Sequence, residues 1–288
     1  MHIKTSKVMK KTILSLATVA LIFLGIENSQ AQVKLPPASS TTTLTQGLGI
    51  KDITLIYQRP NAKNRKIFGD LVPFNEVWRT GANNIPAITF QEDVNIEGNI
   101  VPAGTYGLFS IPSTDEWTII LSKNVKQWGA YQYNQDEDFL RFKVKPQTLS
   151  NHVETFTISF DKVTPSSTEM SFTWEKTKVS FNISVDQSKE ILANIDQAMK
   201  SEQKPYFQAA QYYFNNNLDI QKAAQWIKLA DQNTAPAAHI KYWKSLILNK
   251  AGDKAGARQA AQEGIELAKQ TNTEEYIKLN TNALKTIN

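Results

Sequence analysis

"KVSFNISVDQSKEILANIDQAMKSE", residues 178–202, contains the point on which the fold turns. Its first eight residues, "KVSFNISV" (178–185), read as a strand rich in β-branched and aromatic side chains. From Ser188 the period changes, and Ile191, Leu192, Ile195 and Met199 recur at helical spacing. Before this point, "DITLIYQ" (52–58), "AITFQEDV" (87–94), "TYGLFSI" (105–111) and "WTIILSK" (117–123) read as strands. So do "FLRFKVK" (139–145), "ETFTISF" (154–160) and "EMSFTWEK" (169–176). Phe156, Ile158 and Phe160 share one face of their strand, with Thr155, Thr157 and Ser159 on the other. Eight or nine short strands with turn signals between them predict an all-β antiparallel sandwich or barrel-like domain over 32–185. "NIEGNIVPAGTYGLF" places two of the turns, at Glu97–Asn99 and Pro102–Gly104, and "QVKLPPASSTTT" (32–43) reads as an extended lead-in.

After the switch the chain writes helices to its end, giving an all-α domain over 186–288. "NNNLDIQKAAQWIKLA" (215–230) and "NKAGDKAGARQAAQEG" (249–264) align at an offset of 34 residues. Asn215 matches Asn249, Asp219 matches Asp253, Ala223 matches Ala257 and Gln225 matches Gln259. A helix–turn–helix unit of this length, with small residues where helices cross closely, resembles the tetratricopeptide repeat. Lys241 and Lys244 depart from that pattern, which favours large apolar residues there. "TEEYIKLNTNALKTI" (273–287) follows as a capping helix. On the register the resemblance implies, Gln208, Tyr212, Asn215, His239, Tyr242 and Asn249 face into a shallow partner groove, and packing against the β-domain is an equal alternative.

The N-terminus reads as a targeting segment. Lys4, Lys7, Lys10 and Lys11 precede an apolar run from Ile13 to Ile26, and small residues follow at Ser29 and Ala31. This predicts a secretory signal peptide over 1–31 with cleavage after Ala31, and so a periplasmic or secreted protein. The apolar run is about 14 residues, short of the roughly 18–20 that a span needs, so no membrane span is expected after cleavage. Without residues 1–31 the net charge of +5 falls to +2, with no electrostatic footprint for nucleic acid. The chain has no cysteine, which excludes disulfides, thiolate metal sites and a cysteine nucleophile.

"RKIFGDLVPFNEVWRTGANN" (65–84), "VPAGTYGLFSIP" (101–112) and "EWTIILSKNVKQWGAYQY" (116–133) together carry a family resemblance. They resemble the exported bacterial domain-of-unknown-function family numbered 2911, common in Bacteroidetes. The resemblance covers roughly residues 36–185. It implies an exported β-rich domain followed by helices, and it implies no activity.

Known catalytic spacings are missing: there is no G-x-S-x-G, H-E-x-x-H or Walker loop. "GLGIKD" lacks a third glycine and leads into a strand, so it reads as a turn, not a dinucleotide loop. Asn134, Asp136 and Asp138 have the spacing of a calcium loop's first ligands, but Phe139 replaces the required glycine and Lys145 the bidentate Glu. His152 and His239 lie far apart and read as surface residues. No cofactor and no metal is therefore expected. Two segments remain. Arg59, Arg65, Lys66 and Arg79 fall within 21 residues, with Asp70, Glu76 and Trp78 among them. Guanidinium forks of this kind hold carboxylate, phosphate or sulfate; alternatively the aromatics cap the sandwich and the charges pair internally. Trp128, Tyr131 and Tyr133 are a stacking platform for a sugar, assisted by Gln127 and Asn134, or else cover a sandwich edge.

The leading expectation is a non-catalytic exported module that binds a polar or anionic small molecule or glycan, with the repeats free to hold a protein partner. One alternative is a periplasmic hydrolase or glycan-modifying enzyme using Asp70 and Glu76. Another is a purely structural cell-envelope protein.

Overall fold

The computed structural model describes residues 35–287; the expected signal peptide lies outside them. Ten strands come first: β1 (Ser40–Leu48), β2 (Lys51–Arg59), β3 (Ala87–Phe90), β4 (Val94–Ile96), β5 (Asn99–Val101), β6 (Gly104–Ile111), β7 (Trp117–Ser122), β8 (Asp138–Val144), β9 (Gln147–Asp161) and β10 (Ser167–Ser184). They form a six-stranded sheet in the order β1-β2-β3-β6-β7-β8 and a four-stranded sheet in the order β5-β4-β10-β9. Every pairing is antiparallel. Leu55, Ile88, Leu108 and Ile119 of the first sheet share one core with Ile158, Phe172, Phe181 and Ile183 of the second. The alternation expected in β9 holds: Phe156 and Ile158 are buried while their threonine neighbours are half-exposed.

Three details differ from the expectation. The end of the lead-in, from Ser40, belongs to β1, whose nine residues pair fully with β2. Its Ser/Thr-rich composition suits an edge strand with few apolar neighbours to bury. "AITFQEDV" divides into β3 and β4, which belong to different sheets, so the chain turns a corner at 91–93. The last two expected strands are one, β10, whose ladder to β9 shifts register around Glu175.

The free edge of β9 is closed by the end of β2. The Tyr57 hydroxyl accepts from the Ile158 N–H at 2.9 Å, and the Phe156 N–H donates to the Pro60 carbonyl at 2.8 Å. Arg59 donates from Nε to the Phe156 carbonyl at 3.1 Å and from Nη2 to the Thr157 hydroxyl at 2.7 Å. An exposed ladder edge thus becomes a seam between the sheets.

Six helices follow: α1 (Ser188–Ala198), α2 (Tyr206–Asn215), α3 (Ile220–Asn233), α4 (Ala238–Lys250), α5 (Lys254–Gln270) and α6 (Glu274–Thr286). Two of the four pairs matched at 34-residue spacing do matching work. Asp219 caps α3 by accepting from the Gln221 and Lys222 N–H groups, and Asp253 caps α5 through the Gly256 N–H. Ala223 and Ala257 are fully buried. Lys241 and Lys244 stand where apolar residues were expected because Asp231 of α3 binds both, at 2.9 and 2.6 Å, and Glu263 of α5 also binds Lys241. Among the described residues, no helix is long and apolar enough to cross a membrane.

Candidate functional site

The chain between β2 and β3 is an excursion pinned to both sheets. On one side the Ala62 N–H donates to the Glu154 carbonyl at 2.7 Å and the Ile67 N–H to the Glu175 carboxylate at 3.1 Å. The register shift in β10 places Glu175 opposite that loop. On the other side Trp78 and Ser110 exchange two backbone bonds, of 2.7 and 3.0 Å, continuing the sheet beyond the end of β3. Trp78, 9% exposed, packs against Phe68, Trp117, Phe156 and Trp174, with its ring stacked on that of Trp174 at 5.9 Å. These rings fix the loop as firmly as a strand would.

Between this excursion and the segment 130–131 lies a cavity of about 550 Å³. Trp78 and Trp174 line it, and Lys63, Arg65, Glu76, Arg79 and Tyr131 bring its polar groups. Three cations and one carboxylate therefore meet here. Arg65 is braced by its own loop, donating from Nε to the Ala62 carbonyl at 2.8 Å and from Nη2 to the Asn61 carbonyl at 2.7 Å. Arg79 is different. Its Nε is buried and bonds to no protein group, and among the described residues no carboxylate lies within ion-pair distance of it. Its guanidinium lies over the Trp128 ring, 5.7 Å from the centroid. Trp128 in turn stacks on Tyr131 at 5.9 Å and 21°, and these two rings are 63% and 80% exposed. A polar, open cation beside two exposed rings can take an anion and a flat apolar face together.

Arg79 is held in place by its successor. Thr80 has φ of 50° and is fully buried, with its hydroxyl 2.8 Å from that of Ser110. A β-branched residue in the left-handed region costs about 1–3 kcal/mol, so the surrounding bonds over-determine it.

Of the residues singled out from the sequence, Arg65, Glu76, Trp78, Arg79 and Tyr131 come together on this cavity. Trp128 stands beside it through Arg79 and Tyr131. Arg59 is engaged in the seam to β9, and Lys66 and Asp70 are exposed and do not line the cavity. Neither Asp70 nor Glu76 forms an ion pair with an arginine among the described residues. Tyr133 packs edge-on against Phe109 and donates to Asp138 at 2.6 Å; burial, then that carboxylate, pushes its hydroxyl well above the usual tyrosine range. Asn134 caps the short turn at 135–137, accepting from the Asp136 N–H. Among the described residues no group of three or more acidic or histidine side chains converges as a metal ligand set. Lys63 and Trp174 belong to the cavity without having been singled out. Lys63 sat within the basic run but its φ of 51° was not legible, and Trp174 joins only because β10 crosses beneath the loop.

The six groove candidates lie on α2 and α4, which are neighbours: Phe207 meets His239 edge-on at 5.5 Å, and Phe214 meets Trp243 at 5.9 Å. Gln208, Asn215 and His239 are exposed, and Tyr212, Tyr242 and Asn249 are half-buried. Leu192 and Ile195 of α1 pack onto the same apolar cluster as Phe207 and Tyr212. Burial, then the Asp186 carboxylate, raises the Tyr212 hydroxyl above the usual tyrosine range.

No curated protein and no solved structure matches this chain. A family model does match, over residues 39–183, the span that holds both sheets except Ser184 and the whole cavity wall except Ala38. The chain belongs to the family described as "Protein of unknown function (DUF2911)".

Proposed function

We propose that the β-domain is a non-catalytic binding module for a small anionic ligand bearing a ring, such as a uronic acid. The observation that carries this reading is Arg79: a guanidinium on the cavity wall whose buried Nε is unbonded and which has no acidic partner among the described residues. Leaving a buried donor unpaired costs about 1–3 kcal/mol, which a carboxylate bonded there would recover. Lys63 and Arg65 add positive potential, and the exposed Trp128 and Tyr131 rings offer a face to a sugar. Export directed by residues 1–31 puts such a module where envelope glycans are found. The α-domain, with its 34-residue spacing, serves in this reading as a tetratricopeptide-like surface for a protein partner.

The hydrolase reading needs a second carboxylate beside Glu76, and Asp70 does not line the cavity. The scaffold reading needs Arg79 to be paired. Thermal-shift and calorimetric titration of the mature protein with glucuronic acid, glucose, phosphate and sulfate would test the proposal. Glucuronic acid is expected to raise Tm where glucose does not, with a stabilisation near 2.7 kcal/mol at about 100 times Kd. Arg79→Ala should abolish the shift. No stabilisation by any of the anions at about 10 mM, far above a useful Kd, would rule the reading out.

A further inference from the structure

A second pocket, of about 450 Å³, has Trp128 in its wall. Residues 127–129 run as a short ladder beside 83–85: the Ile85 N–H donates to the Gln127 carbonyl at 3.1 Å and the Gly129 N–H to the Asn83 carbonyl at 2.8 Å. Strand-like alternation sends Trp128 outward and Gln127 inward. Gln127 is 5% exposed, lines the pocket, and neither its Oε1 nor its Nε2 bonds to any protein group. The neighbouring amide of Gln58 is already committed: oriented to suit its surroundings, its nitrogen donates to the Ala82 and Asn84 carbonyls, each at 3.0 Å. Ile56, Ile85, Ala87 and Val125 give the wall its apolar part, and Asn84 and Lys126 complete it.

A buried amide with both donor and acceptor open is complementary to another amide, N–H to Oε1 and C=O to Nε2. Apolar side chains around it suit a methyl group, and the Trp128 indole suits the C–H face of a pyranose. We infer that this pocket takes the acetamido group of a sugar unit joined to the acidic unit held at Arg79, so that the ligand is an acidic, N-acetylated saccharide of at least two units. The inference rests on the anion-binding reading above. Trp128 links the two subsites: it lines this pocket, and Arg79 and Tyr131 of the first cavity pack on its ring.

Calorimetric titration of the mature protein tests this with four probes: glucuronic acid, a glucuronic acid–N-acetylglucosamine disaccharide, the matching glucuronic acid–glucose disaccharide, and the acidic peptide N-acetyl-Ala-Asp. The acetamido disaccharide is expected to bind about tenfold tighter than either glucuronic acid or the glucose disaccharide. Gln127→Leu, which replaces an unbonded amide by an apolar group of similar length, is expected to bring that advantage to within about twofold. Equal affinity for the two disaccharides overturns the inference while leaving the anion site intact. Tighter binding of the peptide than of both disaccharides also overturns it, identifying a peptide as the occupant. No binding by any probe overturns this inference and the reading on which it rests.

Discussion

Arg59 and Arg79 lie in one basic run and have opposite fates. Arg59 spends its guanidinium on the Phe156 carbonyl and the Thr157 hydroxyl. Arg79, fixed by the strained and buried Thr80, keeps its own for the cavity. Arg59→Ala is therefore expected to lower stability by about 1–3 kcal/mol in urea unfolding, because two part-buried acceptors on β9, one backbone and one side-chain, lose their donors. Arg79→Ala should not destabilise, since the lost contact with Trp128 is offset by removal of an unpaired buried donor, while ligand binding is lost. A marked fall in urea midpoint for Arg79→Ala would show that the scaffold reading is the right one. The sequence presented both arginines as equivalent candidates. What separated them is the path of β9, 97 residues away from Arg59 and invisible to any local pattern.

At the level of elements, the β9–β10 hairpin carries an ion network and the α-domain carries caps. Lys178 reaches Asp161 at 3.3 Å and Glu169 at 3.4 Å, and Lys162 holds Glu169 at 2.7 Å. The bond from Lys162 holds the Glu169 carboxyl below its ordinary value. Burial pushes Asp161 up, yet the bonds from Ser171 and Lys178 outweigh it and leave it lowered. Both native values thus lie below the unfolded ones of about 4, so the stabilisation is complete above about pH 5 and lost as pH falls through the lowered native values. Lys178→Met should flatten the fall of Tm between about pH 5 and pH 3; an unchanged acid limb would count against the network. Asp253→Ala, which removes the bond to the Gly256 N–H and the pair to Lys228, is expected to lose about 1 kcal/mol of helical-domain stability by circular dichroism. The repeat spacing was legible because Asp219 and Asp253, which the structure shows capping α3 and α5, recur 34 residues apart. β1 was not, because a Ser/Thr run has the same composition whether it forms an edge strand or a loop.

At the scale of the molecule, the two halves have separate cores. Among the described residues, the hydrogen bonds and ion pairs between them all involve Gln187 or Lys51. The Gln187 amide accepts from the Ile50 N–H at 2.8 Å and donates to Glu92, and Lys51 stands 3.7 Å from Glu190. Scanning calorimetry should accordingly resolve two transitions, and a single cooperative one would refute the separation. Gly49→Ala should lower the β-domain transition by about 1–2 kcal/mol, because Gly49 has φ of 64° and its Cβ would strike the Gln187 amide. The sequence by itself determined the division into a β-half and an α-half and most strand positions, because periodicity and turn chemistry are local properties of a few successive residues. Only the tertiary structure decided that ten strands make two sheets, that Asp70 and Lys66 stay off the cavity, and that Gln127 is buried without a partner. Those outcomes depend on which distant backbone groups arrive first at each donor and acceptor, and no stretch of chain contains that information about itself.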